Sequence, residues 1–246
     1  METQRFSALI FHLVFCCIFS VNVHASGTYH GGAGAAEDPY RLLRAEHLIE
    51  LGNHPEDYSS HFILMADIDM DPDLPGNQEF EQAGIAPNTS TSDTFEGIPF
   101  NGIFDGQEHR ILNLTISEYP NTSYLGLFGK IGTDGVVQNL GVVNFDCTIS
   151  NSYTLFYFGS LTGYNEGTLL NCYAGVNVDS GNYNTHQENL GGLVGANYGD
   201  IYNSHSKGRL HLNWGSNCGG LVGYNGNGFI LHCSSSCSVY SASDSI

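Results

Sequence analysis

The chain has 246 residues, enough for one sizeable elongated domain or two small ones. It carries 25 acidic residues but only seven basic ones, for a net charge of −18 at pH 7. A surface this acidic repels nucleic acid and anionic membranes, so nucleic acid is excluded as a partner.

Residues 1–25 have the pattern of a secretory signal peptide. Arg5 supplies the positive charge, an apolar run follows from Ala8 to Phe19, and Val23-His24-Ala25 offers small residues where a signal peptidase cuts. The run is shorter than the ~20 apolar residues that span a bilayer, which makes a membrane anchor the weaker alternative. We expect a secreted or cell-surface protein without membrane insertion after signal removal, and a flexible linker at residues 26–36.

Residues 37–99 are predicted to form an N-terminal cap and an acidic first coil region. Apolar residues recur at helical spacing from Arg41 to Leu51, and Gly52-Asn53 ends that pattern. A strand is predicted over 62–69. A short helix at residues 36–60 would cover the open edge of a stack of strands, which otherwise invites aggregation.

Alternating aspartates at the end of this strand make a weak calcium candidate: Asp67, Asp69, Asp71 and Asp73. A full calcium loop has glycine at its sixth position and glutamate at its twelfth, where this chain has Pro72 and Gln78. Acidic side chains on the outer end of a strand explain the spacing equally well. We predict no catalytic residue and no other metal or cofactor.

Internal repeats are the strongest signal in the sequence. Four segments align: Tyr124-Leu-Gly-Leu-Phe-Gly129, Phe158-Gly-Ser-Leu-Thr-Gly163, Leu190-Gly-Gly-Leu-Val-Gly195 and Cys218-Gly-Gly-Leu-Val-Gly223. A second column follows them at Asn139-Leu140, Asn171-Cys172, Asn203-Ser204 and His232-Cys233, and Asn113-Leu114 fits it as an earlier copy. Units of about 30 residues with short β-prone segments cannot bury their own apolar faces, but stacking in register solves this.

This pattern predicts an all-β fold, a right-handed parallel β-helix of about five coils over residues 100–246. Two inward ladders are expected, one of Leu127, Leu161, Leu193 and Leu221 and the other of Tyr124, Phe158, Leu190 and Cys218. Glycines 129, 163, 195 and 223 would sit at a corner that needs positive φ or close backbone approach. Asn113, Asn139, Asn171 and Asn203 would form an amide ladder at a turn. The repeats are too short for the ~40–50-residue blades of a β-propeller, the alternative architecture together with a sandwich.

The repeats resemble the GLUG motif, seen here as Gly191-Gly-Leu-Val-Gly-Ala-Asn197 and Gly219-Gly-Leu-Val-Gly-Tyr-Asn225. The earlier copies depart from it, with Ile131 at the asparagine position and with Ser160 and Thr162 inside the glycine-leucine core. The resemblance implies a bacterial exported or surface protein with β-helical repeats, as also found in the repeat regions of IgA-specific metallopeptidases. Those peptidases carry their zinc motif in a separate domain, and this sequence has no His-Glu-x-x-His. The serine-rich run 234–246 shows no cap pattern, so we expect a fragment of a longer protein.

Two further clusters are candidates for chemistry. Cys218, His232, Cys233 and Cys237 raise the possibility of zinc, but a structural site needs paired knuckles, and the repeat columns favour small buried core residues. Asp105, Glu108, His109 and Arg110 form a dense charged group that a polysaccharide-cleaving β-helix could use, although Asp105-Gly106 is more simply a turn.

Aromatic residues are the better functional clue, because tyrosines on a flat ladder could stack on sugars or contact a protein partner. They are Tyr153, Phe156, Tyr157, Tyr164, Tyr173, Tyr183, Tyr198, Tyr202, Trp214 and Tyr224. Ordinary half-buried strand tyrosine is the competing explanation. Two functions follow: a non-enzymatic surface adhesion or binding module for a glycan or protein, or alternatively a carbohydrate-active enzyme or the repeat part of a larger hydrolase.

Overall fold

The computed structural model describes residues 28–90, 94–117, 123–148, 156–179, 188–212 and 217–241. The predicted signal peptide lies outside these residues. Within them the chain forms parallel strands in four sheets that wind as a β-solenoid, with a single α-helix near the N-terminal end. The predicted fold class is therefore confirmed.

The N-terminal part contributes short strands separated by long connections. Helix α1 spans Ala45–Asn53, a 3₁₀ turn follows at Pro55–Asp57, and the strands are β1 (Tyr40–Leu42), β2 (His61–Leu64), β3 (Ile68–Asp69), β4 (Ile103–Asp105), β5 (Arg110–Leu112) and β6 (Thr115–Ser117).

Four regular coils of four strands follow. The first comprises β7 (Tyr124–Leu125), β8 (Phe128–Ile131), β9 (Val136–Gln138) and β10 (Gly141–Thr148). The second comprises β11 (Phe156–Gly159), β12 (Thr162–Asn165), β13 (Thr168–Leu170) and β14 (Tyr173–Asp179), and the third β15 (Glu188–Gly191), β16 (Val194–Asn197), β17 (Asp200–Tyr202) and β18 (His205–Leu212). The fourth comprises β19 (Asn217–Gly219), β20 (Val222–Asn225), β21 (Ile230–Leu231) and β22 (Ser234–Ser241).

Equivalent strands of successive coils pair in parallel. Sheet 1 runs β1-β2-β4-β9-β13-β17-β21, and sheet 2 runs β3-β5-β10-β14-β18-β22 with β6 also beside β10. Sheet 3 runs β7-β11-β15-β19, and sheet 4 runs β8-β12-β16-β20. From β7 to the equivalent strand β19 the chain makes three full turns, which join four regular coils, so the predicted count of about five coils was too high. The coil that begins at residue 100 gives strands only to sheets 1 and 2, because its connections are irregular.

The predicted leucine ladder is confirmed for Leu161, Leu193 and Leu221, whereas the Leu127 amide donates to the Ser160 carbonyl at 3.1 Å. The Leu161 amide donates to the Leu193 carbonyl at 3.1 Å, and the Leu193 amide donates to the Leu221 carbonyl at 2.9 Å. Leu161 and Leu193 are fully buried. Three copies of the repeat therefore stand directly over one another along the axis.

The second predicted ladder is wrong at its first member. Phe158 pairs with Leu125 and Leu190, so Leu125 takes the inward place that was given to Tyr124. Tyr124 instead pairs with Tyr157. The reason is that the corner between β7 and β8 has one residue fewer than the later corners. When the repeat copies are aligned on the glycine that ends each of them, the strand before this corner is therefore shifted by one position.

The turn column needs a correction of the same kind. Asn139, Asn171, Asn203 and His232 all have left-handed φ angles of 49–56°. Asn171 donates its amide to Asn139 Oδ1 at 2.9 Å. Asn113 does not belong to this column, because sheet 2 places it beside Asn144, whose amide donates to Asn113 Oδ1 at 3.1 Å next to a β-bulge.

Close backbone approach, not positive φ, explains the corner glycines. φ is not left-handed at Gly129, Gly163, Gly195 or Gly223. A Cβ added at Gly195 would lie 2.7 Å from the Phe158 backbone nitrogen, and one at Gly223 would lie 2.5 Å from the Leu190 nitrogen. Sheets 3 and 4 meet so closely that a side chain has no room there.

The N-terminal helix begins later than its sequence pattern predicted. Arg41 and Leu42 belong to strand β1 and pair with Ile63 and Leu64. Leu42 is apolar and buried in either arrangement, so the helical stripe could not distinguish them. Helix α1 buries Ala45, Leu48 and Leu51 in the core, and Leu43 donates its backbone N–H to the buried His47 imidazole at 3.0 Å.

Candidate binding faces

Five tyrosine rings form one continuous row across sheets 3 and 4, here called the tyrosine row: Tyr124, Tyr157, Tyr164, Tyr198 and Tyr224. Successive ring centroids lie 4.8, 5.3, 5.1 and 6.0 Å apart. The rings of Tyr164 and Tyr198 are nearly parallel, at 17°. Exposure rises along the row from 5% at Tyr124 to 40% at Tyr198 and 41% at Tyr224.

The row is held in place by its neighbours. Lys130 Nζ lies 5.0 Å from the Tyr164 ring centroid and 3.0 Å from the Glu166 carboxylate. Burial, followed by the charge of Tyr198, raises the pKa of Tyr164, so this phenol keeps its proton over the physiological range. Because the rings cover parts of one another's faces, the row offers solvent mainly ring edges and protonated hydroxyls, which donate and accept hydrogen bonds.

The other predicted aromatics are scattered. Tyr173 lies on sheet 2, and Tyr202 lies on sheet 1, where its hydroxyl donates to Asp200 Oδ2 at 3.1 Å. Phe156 begins β11. Tyr153, Tyr183 and Trp214 fall outside the described residues. Sequence reasoning missed Tyr124 as a member of the row, since its copy had been aligned one residue off.

A second face is a groove on the outside of sheet 2, with a volume of about 460 Å³. Arg110, Gly141, Tyr173 and His205 follow one another across four neighbouring strands, and Lys207 occupies the next outward row. The Tyr173 and His205 rings have centroids 4.6 Å apart, and Lys207 Nζ lies 5.4 Å from the Tyr173 ring centroid. The groove is also lined by Glu108, Asn139, Leu140, Val143, Asn171 and Ser236.

The charged group Asp105 to Arg110 does not converge on one site. Asp105 accepts hydrogen bonds from the Gln107 backbone and from the side chains of Gln107, Gln138 and Asn139 at 2.8–3.1 Å. Burial raises the pKa of Asp105, but these hydrogen bonds outweigh it and hold the pKa below its ordinary value. Asp105 is thus an ionised turn residue that begins the amide ladder, an environment opposite to that of a catalytic acid.

The remaining members of this group point to different neighbours. His109 Nδ1 lies 3.4 Å from Asp67 Oδ1, and Arg110 donates its backbone N–H to the same oxygen at 2.9 Å. Of the four residues in this charged group, Glu108 and Arg110 line the sheet 2 groove and the other two do not.

Three of the four calcium candidates, Asp67, Asp69 and Asp71, accept local hydrogen bonds with their carboxylates. Asp69 Oδ1 accepts from the Asp71 backbone N–H at 3.0 Å and from the Asn113 amide at 2.8 Å. Asp71 Oδ1 accepts from the Asp73 N–H at 3.0 Å, and Asp67 binds Arg110 as described above. Across the described ranges no group of three or more His, Cys, Asp or Glu side chains is placed to hold a metal ion.

The cysteines occupy core columns, as the repeat alignment predicts. The Cys172 backbone N–H donates to Ser204 Oγ at 3.0 Å, and the Ser204 N–H contacts Cys233 Sγ at 3.4 Å. Cys172 is fully buried, and burial raises the pKa of its thiol to about 12. Cys218, Cys233 and Cys237 are only half-buried, because they lie in the last coil.

Comparison with known proteins supports the repeat assignment. A model of the GLUG motif matches residues 186–210, which include β15 and β16 and the Gly191–Gly195 corner. This chain carries a GLUG motif. The resemblance read from the sequence is therefore confirmed on residues that build sheets 3 and 4.

Two curated relatives match about two thirds of the chain. A protein of Evansella cellulosilytica, provisionally described as a Gly-rich membrane protein, is 33% identical over 168 residues, and halomucin of Haloquadratum walsbyi is 29% identical over 171 residues. The chain spans only 18% and 2% of their lengths. In the part of this GLUG-containing chain that the structure describes, no helix has both the length and the apolar character needed to cross a membrane.

A solved structure shares the fold. A Bacteroides ovatus protein provisionally assigned as an immunoglobulin A1 protease superimposes with a TM-score of 0.51 at 18% identity, over 88% of this chain and 83% of that one. At this identity the similarity concerns the fold alone.

Proposed function

We propose that this GLUG-repeat chain is an extracellular module that binds a glycan along the tyrosine row without turning it over. The observation that carries the proposal is the continuity of the row through all four regular coils, with its exposed end at Tyr198 and Tyr224. The names of the two curated relatives, a membrane protein and a mucin, fit a surface location.

The physical basis is preorganisation. Tyrosine supplies a large amphipathic contact area with only two side-chain torsions to fix. Here the rings already pack against one another, so ligand binding would not carry the further entropic cost of ordering these side chains. A row of ring edges and hydroxyls suits a polymer that alternates apolar C–H groups with hydroxyls, as glycans do.

Binding without turnover is favoured over hydrolysis by the state of Asp105. Its carboxylate is ionised and already accepts four hydrogen bonds, so it has little capacity left to protonate a leaving group. A secreted hydrolase with its catalytic groups elsewhere in a longer chain is the alternative, and a depolymerisation assay distinguishes the two.

The test is binding of the secreted chain to a glycan array, followed by titration of the best oligosaccharide. Replacing Tyr198 and Tyr224 together with alanine should weaken binding by roughly tenfold or more, the scale of a lost aromatic anchor. Tyr202→Ala is the matched control, because it removes a tyrosine from sheet 1 and should leave affinity unchanged. Tyr198→Phe keeps the ring stack and isolates the contribution of the hydroxyl.

Three results would contradict the proposal. These are no binding to any glycan, equal loss of affinity in the Tyr202→Ala control, and depolymerisation of a bound oligosaccharide by the unmodified chain. Circular dichroism spectra of each variant should superimpose on that of the parent, since the row lies outside the leucine ladder.

A further inference from the structure

The sheet 2 groove is lined by two basic side chains, Arg110 and Lys207. Three basic residues elsewhere are paired with carboxylates: Arg41 with Asp38 at 2.8 Å, Lys130 with Glu166 at 3.0 Å and Arg44 with Glu46 at 3.8 Å. Among the described residues Arg110, Lys207 and Arg209 have no ion-pair partner, and the first two of these line the groove. In a chain with 25 acidic residues and seven basic ones, two cations left unpaired in one groove call for an explanation.

The groove is shaped by a missing side chain. Gly141 lies between Arg110 and Tyr173 on neighbouring strands, and a Cβ there would come within 3.0 Å of Arg110 Cγ and 3.7 Å of Tyr173 Cδ1. The absence of a side chain at Gly141 therefore leaves room for the Arg110 and Tyr173 side chains, which both line the groove. Gly175, the neighbour of Lys207, leaves room for the Tyr173 hydroxyl, since an added Cβ would lie 3.3 Å from Tyr173 Oη.

An unsatisfied polar group lies in the same place. Tyr173 Oη is shielded from solvent and has no hydrogen-bond partner among the residues that the structure describes. A buried hydroxyl without a partner costs roughly 1–3 kcal/mol, so such groups call for a ligand, a water or a functional reason. Here the unsatisfied hydroxyl belongs to a ring that lies next to Lys207 and His205.

We infer that this groove is a second binding site, which takes the carboxylate of an acidic glycan. Arg110 and Lys207 pair with the carboxylate, Tyr173 contacts the sugar ring, and the amides of Asn139 and Asn171 meet its hydroxyls. Charge-assisted hydrogen bonds from arginine to a carboxylate are short and directional, which makes Arg110 the main determinant.

Charge also decides which anion fits. At physiological salt, charges beyond ~8 Å are largely screened, so the groove cations act locally in spite of the net −18. With Glu108 also in the lining, two cations face one carboxylate. This small positive excess suits a polymer with one carboxylate every few sugars and not a polyanion such as nucleic acid.

The site is separate from the tyrosine row, so this inference goes beyond the proposed function and can fail independently of it. The probe is a hyaluronan hexasaccharide, in which glucuronate alternates with an N-acetylated sugar. Its carboxyl-reduced form is the matched neutral ligand. Both are titrated into the whole chain by calorimetry at physiological salt.

Arg110→Gln and Lys207→Gln should each weaken binding of the acidic hexasaccharide by roughly tenfold. Arg110→Lys should weaken it less, because the charge remains. Folding is not at risk from the Arg110 variants, since Asp67 binds the backbone N–H of Arg110 and not its side chain. Arg209→Gln is the control: it removes the same charge from strand β18, next to Tyr240 and outside the groove, and should have no effect.

The inference is overturned if the hexasaccharide does not bind, if the carboxyl-reduced form binds equally well, or if Arg209→Gln weakens binding as much as Arg110→Gln. Equally tight binding of a polyglutamate peptide would also overturn it, because the groove would then select acidic peptide or charge alone. The Tyr198 and Tyr224 alanine variant should bind the acidic hexasaccharide normally, and a loss there would mean that the two faces form one site.

Discussion

In the regular coils, the corner between sheets 1 and 2 has one residue with a left-handed backbone. Asn139, Asn171 and Asn203 occupy this position in three coils, with φ between 49° and 53°. Asparagine does so more readily than other side chains because its short amide can bond locally. The Asn171 amide in addition reaches the neighbouring coil, where it donates to Asn139 Oδ1.

The backbone and side-chain contributions at this corner can be separated. Asn171→Ala loses the amide bond and also places a Cβ in the left-handed region, which costs ~1–2 kcal/mol for an ordinary residue. Asn171→Gly loses the same amide bond without that strain. We expect Asn171→Ala to be less stable than Asn171→Gly by about 1 kcal/mol in urea unfolding. Equal stability of the two variants would assign the role of Asn171 to its side chain alone.

Cys172 illustrates how burial at one residue couples to pH. Its folded pKa of about 12 lies above the ordinary thiol value of 9.0, so the folded chain keeps a proton that the unfolded chain loses. The stabilisation is fully present below pH 9 and is lost as pH rises towards 12.

Between pH 9 and 11 the parent should therefore lose stability faster than Cys172→Ser, by up to ~1.4 kcal/mol per pH unit. Serine is a natural occupant of this column at Ser204, which makes it a mild replacement. Tyrosine titration affects both proteins equally and cancels in the comparison. Parallel pH profiles for the two would show that the Cys172 thiol does not titrate in this range.

At the scale of elements, sheets 3 and 4 approach each other closely at their shared corner. Gly195 of β16 faces the backbone of β11 and β15, where an added Cβ would lie 2.7 Å from the Phe158 nitrogen and 2.9 Å from the Asn189 carbonyl oxygen. Both obstacles are backbone atoms, which cannot rotate away as a side chain can.

Gly195→Ala should therefore force the two sheets apart and destabilise the chain by at least ~2 kcal/mol. Gly84→Ala is the matched control, since its Cβ would meet only ordinary contacts at 3.6 Å and beyond. Thermal unfolding of both variants measures the difference. A mild effect at Gly195 would mean that the corner can open, contrary to the rigid packing inferred here.

The elements also show why some features could be predicted and others could not. The leucine ladder was predictable because Leu161, Leu193 and Leu221 recur at the same distance from their closing glycines. Tyr124 was misplaced because a corner shorter by one residue leaves the glycine pattern intact while shifting the strand before it.

The cationic groove left no local signal in the sequence. Arg110 and Lys207 are far apart along the chain, and only the parallel register of sheet 2 brings their rows together. Asn113 was also misplaced, because it lies beside the bulge of β10 at Asn144, whereas Glu108 stands next to Asn139 in the turn column. Irregularities of this kind change register without changing composition, and register decides which residues share a face.

The whole molecule is a stack in which each coil is buried by the next. Ile201 in β17 is fully buried, whereas Ile230, its neighbour in β21, is 40% exposed. Leu193 is fully buried and Leu221 only half-buried. Among the described residues no strand pairs with the outer edges of β19 to β22. Stability in such a stack is a sum of coil terms and interface terms, and within the described residues the coil β19 to β22 packs on one neighbouring coil.

This arrangement predicts a gradient of local stability along the axis. Amide hydrogen exchange should be at least ~10-fold faster in β19 to β22 than in β11 to β14, because opening the last coil disrupts one interface instead of two. Leu193→Ala should destabilise the chain by ~2–5 kcal/mol as a fully buried site, and Leu221→Ala by clearly less. Uniform protection from exchange along the stack would contradict this prediction. It would mean that all coils unfold together and that the coil β19 to β22 is locally no less stable than the others.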